Sequence, residues 1–204
     1  MNLFKTLLAG IALLGVGAVT TNAHAQGTTP TEKVTKPFSL KVGGLFFTDG
    51  DTKDAIGDST VSLGVAYDFG KTATANPIVY GAYFDYFIRK SRDQNVSIGG
   101  VGNFSVHSSA EAFGLGVQGR YLFTPPSPTT SFSPYAGLGV GVYNARGKVD
   151  GFGSKNTTSI GGKVLLGAEL KSGILGELEY DFIPKVKDFD AKLSGFGARI
   201  GYRF

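Results

Sequence analysis

The sequence predicts an all-β fold, an eight-stranded antiparallel up-and-down transmembrane β-barrel. Eight segments of about ten to twelve residues alternate between apolar residues and small or polar ones, as strands with two unlike faces do. After residue 25, no apolar run reaches the roughly eighteen residues that indicate a membrane-spanning helix. The connections between segments alternate between short turns and longer polar stretches, a pattern typical of membrane barrels with an even number of strands.

The first 25 residues predict a secretory signal peptide. Lys5 precedes an apolar core of about fifteen residues, and the sequence AHA at 23–25 has the small-x-small pattern of a cleavage site. We therefore expect cleavage near Ala25. The alternative is an N-terminal membrane anchor, but the apolar run is shorter than the roughly twenty residues that a helical span needs. Residues 26–36 are then a flexible N-terminal lead-in, and residues 37–204 form the barrel.

The composition excludes several kinds of chemistry. The 204 residues include no cysteine, so a disulfide, a thiolate metal site and a cysteine nucleophile are all excluded. The net charge is +4 and no basic run exceeds two residues, which argues against a nucleic-acid partner because such partners need a basic stripe. No phosphate-loop, dinucleotide or zinc motif occurs, and the acidic stretch DGDTKDAIGD lacks the glutamate that closes a calcium loop. We expect no cofactor and no metal.

Each segment has one apolar face and one face of small residues. In the second segment, Leu63 and Val65 share one face while Ser62 and Gly64 share the other. The last segment keeps this alternation to the final residue, so we expect the eighth strand to close the barrel against the first. The eight segments are 37–47, 59–69, 77–88, 111–123, 133–143, 158–170, 173–183 and 195–204.

The face of small residues is predicted to point into the barrel. A solvated face gains nothing from glycine, whereas a narrow interior does, because Gly137, Gly139 and Gly141 leave room for long side chains from facing strands. The apolar face carries no charge in the middle of any segment, which suits contact with lipid. The alternative is a soluble barrel with its apolar face inward.

The inward face also carries single charges that we expect to form a balanced network, since buried charges need partners. Lys163 is expected to pair with Asp181 across the sixth and seventh strands, and Arg199 to lie near Glu177. The network consists of five cations and six carboxylates: Lys41, Arg120, Lys163, Arg199 and Arg203 with Asp68, Asp85, Glu169, Glu177, Glu179 and Asp181.

Aromatic residues near the segment ends predict the girdles at the two membrane interfaces. These residues are Phe46, Phe47, Phe69, Phe87, Phe123, Tyr143, Phe182, Tyr202 and Phe204.

Three stretches resemble the OmpA-like or opacity-type family of small bacterial outer-membrane β-barrels. They are the Gly-rich PYAGLGVGVYNARG, the acidic GELEYDF and a last strand that ends in Tyr202-x-Phe204, and the resemblance covers residues 37–204. It implies the outer membrane of a Gram-negative bacterium, with outer-membrane lipids and lipopolysaccharide as neighbours. The terminal GARIGYRF resembles the family's assembly signal, which implies recognition of Tyr202 and Phe204 by the barrel assembly machinery.

The leading functional prediction is a non-enzymatic barrel with a plugged polar interior and a structural or surface-interaction role. Its extracellular ligand would bind through the predicted loops 89–110 and 144–157, the first of which begins with the basic RKSR.

Two alternatives stay open. One is a narrow passive channel for small or apolar solutes, as in the OmpW-like branch; Leu122 and Leu165, as the only large aliphatic residues inside strands four to eight, disfavour it. The other is a lipid A-modifying enzyme, since His107 and Ser109 resemble the His-x-Ser of the deacylase barrels. We expect this pair to be solvated loop residues without a catalytic role.

Overall fold

The computed structural model describes residues 31–32, 34–73, 77–98, 102–124, 131–149, 153–183 and 192–204. The predicted signal peptide lies outside the described residues, so cleavage near Ala25 stays a prediction. Within the described ranges, no helix is long and apolar enough to cross a membrane.

Eight strands among the described residues form one closed antiparallel sheet in which each strand pairs with its neighbours in sequence. The eighth strand also pairs with the first, so the predicted up-and-down barrel is confirmed. The strands are β1 (Phe38–Phe47), β2 (Ser59–Thr72), β3 (Ile78–Ile98), β4 (Gly102–Leu122), β5 (Phe132–Val149), β6 (Gly153–Leu170), β7 (Ile174–Phe182) and β8 (Gly195–Arg203).

The seam between β1 and β8 fixes the end of the chain. The Phe38 amide donates to the Phe204 carbonyl at 3.2 Å, and the Phe204 amide donates to the Phe38 carbonyl at 3.0 Å. Pairing continues along the strands, with Val42 opposite Ile200. The seam leaves no unpaired edge between the first and the last strand.

The barrel has apolar side chains outside and charged ones inside. Leu138 and Ile200 are 66% and 61% exposed, whereas Lys163 and Glu179 are only 2% and 4% exposed. The predicted orientation is therefore confirmed, and the soluble alternative with an apolar interior is excluded. An outer surface of this kind must be covered by hydrocarbon, because exposed apolar area of this extent is unfavourable in water.

Four central strands are longer than the sequence pattern predicted. β3 and β4 have 21 residues each and β5 and β6 have 18 each, whereas about 9–11 residues cross a membrane. The ranges 89–110 and 144–157, predicted as loops, are therefore mostly strand. Two hairpins, β3–β4 and β5–β6, extend past the membrane, and β4 stays paired to β5 as far as Ser108 and Val149.

A short helix that the sequence analysis did not predict, α1 (Gly50–Ile56), lies between β1 and β2. Asp49 is its N-cap, and the Asp49 Oδ2 accepts from the Thr52 amide at 3.2 Å and from the Thr52 hydroxyl at 3.1 Å. Gly57, with φ +92°, ends the helix.

The described part of the N-terminal lead-in contacts the barrel, and the expected flexibility of residues 26–36 stays a prediction. Thr31–Glu32 pairs with Lys71 and Thr72 at the end of β2, and Val34 packs against buried residues of the interior. The remaining part of the expected lead-in, residues 26–30, lies outside the described residues.

Candidate functional site

The interior of the barrel is layered along its axis. We call the end that carries the start of β1 and the end of β8 the terminal mouth, and the end that carries α1 and the long hairpins the hairpin mouth. An apolar cluster lies near each mouth. The charged residues lie between the two clusters and at the terminal mouth. The hairpin cluster comprises Leu45, Phe47, Ala66, Tyr83, Phe87, Ala112, Tyr143, Ala145 and Ile183, and the terminal cluster comprises Val79, Leu122, Tyr135 and Leu165.

All eleven charged residues of the expected network lie on the inward face. Ten of them are buried, and Glu169 is half-buried. Their side chains come from β1 to β4 and β6 to β8, and the inward face of β5 contributes glycines and tyrosines instead.

The charges nearest the terminal mouth centre on Asp68. Its Oδ2 accepts from Arg120 Nη2 at 2.5 Å and also from Arg203 Nη1. Arg203 Nε reaches Glu169 Oε2 at 2.7 Å, and Arg203 Nη1 donates to the Lys36 carbonyl at 3.3 Å. The last charged residue of the chain is thus bonded to β2, β6 and the lead-in at once.

A second group lies one layer deeper. Lys41 Nζ donates to Glu177 Oε2 at 2.6 Å, and the Tyr135 hydroxyl donates to Glu177 Oε1 at 2.7 Å. The Arg120 guanidinium lies over the Tyr135 ring, 5.1 Å from its centroid. Both oxygens of the Glu177 carboxylate are therefore satisfied.

The third group is built around Asp85, in the middle of β3. Lys163 Nζ donates to Asp85 Oδ2 at 2.8 Å, and Arg199 Nη1 donates to Asp85 Oδ1. Arg199 Nε lies 2.5 Å from Glu179 Oε1 as an ion pair, although this contact lacks hydrogen-bond geometry. Lys163 Nζ also lies 3.6 Å from the centroid of the Tyr83 ring.

Two expected contacts differ in their partners. Lys163 stands opposite Asp181 in the β6–β7 register as expected, but its ammonium bonds to Asp85, and neither Asp181 carboxylate oxygen has a hydrogen-bond partner. Arg199 stands opposite Glu177 in the β7–β8 register, but it pairs with Asp85 and Glu179. In both cases a long cationic side chain reaches across the lumen to β3 instead of binding its neighbour.

Three buried tyrosines complete the interior. Tyr83 and Tyr143 share a hydrogen bond of 3.0 Å between their hydroxyl oxygens, and Tyr135 bonds to Glu177. Their rings occupy space left by glycines: a Cβ at Gly114 would lie 2.5 Å from the Tyr143 ring. As expected from the sequence, three β5 glycines adjoin long side chains. A Cβ on any of the three would crowd Tyr83, Lys163, Arg120 or Leu165; the glycines are Gly137, Gly139 and Gly141.

The expected aromatic girdle is partly wrong. Phe47, Phe87 and Tyr143 are buried in the hairpin cluster because they lie on the inward parity of their strands. Two further large aliphatic side chains, Leu175 and Ile183, are also buried and were not expected there. The other six predicted girdle residues are exposed on the outer face: Phe46, Phe69, Phe123, Phe182, Tyr202 and Phe204.

At the hairpin mouth, Asp49 joins α1 to the segment before β8. Partial burial favours the protonated carboxyl, but hydrogen bonds from the Lys192 amide and from the Thr52 amide and hydroxyl lower the pKa of Asp49 below its usual range. The Thr52 hydroxyl in turn donates to the Lys192 carbonyl at 2.9 Å. The acidic stretch is thus used to cap a helix, and the described residues contain no cluster of three metal-ligating side chains.

His107 and Ser109 lie on β4, so the expectation that both are solvated loop residues is wrong, while their lack of a catalytic role stays a prediction. His107 is exposed and Ser109 is buried, and no hydrogen bond joins the two side chains in this part of the chain.

A closed antiparallel barrel with an apolar outside and an ionic inside defines an integral membrane β-barrel. The chain belongs to the outer membrane protein beta-barrel domain family, whose model matches residues 11–204.

Among solved structures, the chain is similar in fold to Ail, the attachment invasion locus protein of Yersinia pestis, in complex with the heparin analogue sucrose octasulfate. The identity is 15%, the match covers 84% of this chain and 100% of Ail, and the TM-score is 0.48. It is also similar to Neisserial surface protein A, at 16% identity, 82% and 97% coverage and a TM-score of 0.47. No curated protein matches the chain.

Proposed function

We propose that this protein is a non-conducting barrel of the Gram-negative outer membrane that binds an anionic extracellular partner through its long hairpins. The observation that carries the proposal is the extension of β3–β4 and β5–β6 beyond the length that a membrane requires. In outer-membrane barrels the short turns are periplasmic and the long connections are extracellular. The proposal therefore has the hairpin mouth outside the cell and the terminal mouth in the periplasm.

The β5–β6 hairpin supports an anionic partner. Arg146, Lys148 and Lys155 are exposed near its tip, Glu111 stands opposite Arg146 in the β4–β5 register, and the sequence 144–158 contains one carboxylate residue, Asp150. A surface on which cations outnumber carboxylates attracts anionic partners and accelerates their association. Acidic polysaccharide is a partner with this chemistry.

A triple variant tests this role. Arg146→Gln, Lys148→Gln and Lys155→Gln together are expected to weaken binding of the nanodisc-embedded protein to an immobilised sulfated polysaccharide by about tenfold or more, equivalent to roughly 1.4 kcal/mol. The matched control removes three cations from the opposite mouth, with Lys36→Gln, Lys71→Gln and Lys171→Gln. Equal binding by wild type and the hairpin variant would refute the role of the hairpin.

The interior supports the non-conducting part of the proposal. The hairpin cluster fills one end of the lumen, and the three groups of bonded charges cross the lumen between that cluster and a cavity of about 260 Å³ at the terminal mouth. We expect no step conductance in planar bilayers. Reproducible channel steps would favour the narrow passive channel, and a change in lipid A mass that depends on His107 would favour the enzyme.

A further inference from the structure

The charges of the described barrel interior do not balance. Five cations and six carboxylates lie on the inward face, so one carboxylate is in excess. The two groups nearer the terminal mouth are balanced, because each of their charged residues forms an ion pair and the numbers of the two signs are equal. These residues are Arg120, Arg203, Lys41, Asp68, Glu169 and Glu177.

The excess carboxylate therefore belongs to the group built around Asp85. Its two cations, Lys163 and Arg199, stand among the three carboxylates of Asp85, Glu179 and Asp181. Asp85 accepts from both cations, and Glu179 forms an ion pair with Arg199. Neither oxygen of Asp181 has a hydrogen-bond partner among the described residues. Asp181 is thus the carboxylate that the cations of the interior leave unbonded.

Asp181 is also shielded completely from solvent. It is 0% exposed, and Ile183, two residues further along the chain, belongs to the apolar hairpin cluster. A charge enclosed away from water needs a partner, and a carboxylate without one takes up a proton instead. The charged and titratable side chains that act electrostatically on Asp181 or Glu179 come from β1, β3, β5, β6 and β8: Lys41, Tyr83, Asp85, Tyr143, Lys163 and Arg199.

We propose that Glu179 and Asp181 form a proton-binding site that holds one proton at neutral pH, with Asp181 as the neutral carboxylic acid. The ion pair with Arg199 keeps Glu179 ionised. The Asp181 carboxylate takes one proton from solvent as the barrel folds, which leaves two cations and two carboxylates in this group. Glu179 Oε2 lies on the same face of β7, has no hydrogen-bond partner and is an acceptor for the Asp181 hydroxyl. The site does not depend on the proposed surface role.

Infrared spectroscopy of the folded chain in lipid bilayers detects this proton directly. A protonated carboxyl group has a C=O stretching band that is separate from the bands of carboxylates and amides. Wild type at neutral pH should show the band, and Asp181→Asn should lose it. Asp58→Asn changes an exposed carboxylate and should keep it.

Stability distinguishes a neutral Asp181 from an ionised partner of Lys163. Asp181→Asn replaces a neutral acid by an amide of nearly the same shape, so its urea midpoint in detergent at neutral pH should equal or exceed that of wild type. Glu177→Gln is the contrasting variant. The Glu177 carboxylate accepts from Lys41 and Tyr135, so the substitution leaves Lys41 buried without its ionic partner and should lower the midpoint.

The pH dependence of unfolding gives a third measurement. The folded chain binds one more proton than the unfolded chain, in which Asp181 is ionised at neutral pH, so the free energy of unfolding falls as the pH rises. Between neutral and mildly alkaline pH, the unfolding equilibrium constant of wild type should rise about tenfold per pH unit relative to that of Asp181→Asn.

Three results would overturn the proposal. The first is a wild-type spectrum without the carboxylic acid band, or with a band that persists in Asp181→Asn. The second is a loss of stability in Asp181→Asn as large as that in Glu177→Gln, and the third is an identical pH dependence of unfolding in wild type and Asp181→Asn. The infrared measurement on wild type does not require either variant to fold.

Discussion

Gly167 and Tyr135 stand opposite each other in the β5–β6 register, and the tyrosine ring occupies the space that any other residue at 167 would need for its Cβ. A Cβ at Gly167 would lie 2.6 Å from Tyr135 Cζ, well inside van der Waals contact. The same ring carries the hydroxyl that donates to Glu177. A single glycine therefore fixes the position of a residue that belongs to the ionic interior.

Gly167→Ala is accordingly expected to destabilise the barrel by about 1–3 kcal/mol, the usual cost of overpacking a tight interior. The measurement is the urea midpoint of the refolded protein in detergent. Gly176→Ala is the matched control, because a Cβ at that position meets nothing within 4 Å. Equal midpoints for the two variants would contradict the packing of Tyr135 against Gly167.

Removal of the Asp85 carboxylate should be more costly. Asp85→Asn leaves Lys163 and Arg199 buried without their shared partner, and breaking a buried ion pair costs about 3–5 kcal/mol. We expect the variant to refold poorly and to unfold at much lower urea than wild type. Asp58→Asn, on an exposed carboxylate, serves as the control and should behave like wild type. A wild-type midpoint for Asp85→Asn would show that Asp85 does not organise the interior.

The Asp49 cap predicts a pH dependence. The pKa of Asp49 is lower in the folded chain than its ordinary value of 3.8. Its contribution to stability is therefore fully present above that value and is lost as the pH falls through the folded pKa. Asp49→Ala should cost about 1 kcal/mol at neutral pH. The difference in urea midpoint between wild type and Asp49→Ala should narrow on acidification. A difference that stays constant into strong acid would mean that the ionised carboxylate is not the capping group.

A substitution of Phe204 distinguishes a role in recognition during assembly from a role in the stability of the folded barrel. Phe204 is half exposed, and its ring lies against Tyr202 at 6.0 Å between centroids. If the pair is an assembly signal, Phe204→Ala should reduce the heat-modifiable protein in outer-membrane fractions while refolding in detergent is unchanged. The seam should tolerate the change because Phe204 joins β1 through its backbone. Parallel losses in both measurements would assign the residue a structural role instead.

Processing of the N-terminus can be checked directly. Intact-mass measurement of protein from the outer membrane should give a chain that starts at Gln26, as expected after cleavage at AHA. Retention of residues 1–25 would favour the membrane anchor.

The alternation of residues along each strand was sufficient to predict the barrel. The glycines and single charges on one face predicted which face points inward, because they suit only a narrow interior. The partners of the charges could not be predicted in this way. Register places Lys163 beside Asp181, yet the ammonium reaches Asp85 on β3, a strand that does not pair with β6. Such contacts depend on the width of the lumen and the reach of each side chain, which a one-dimensional pattern does not contain.

The lengths of the central strands and the helix α1 were also missed, for different reasons. Above the membrane, strands gain nothing from an apolar outer face, so the alternation fades while the hydrogen-bonded ladder continues. The helix has seven residues, too few for a helical period to emerge, and only the Asp49 cap marked its start.

The unequal strand lengths give the rim at the hairpin mouth one high side and one low side. β3 to β6 rise together as a continuous four-stranded wall, while β7 and β8 end after nine residues each. Such a wall presents its broad faces sideways, along the plane of the membrane. A partner bound to that wall would lie beside the barrel, close to the lipid surface. It would leave the low side of the rim, formed by the shorter strands, uncovered.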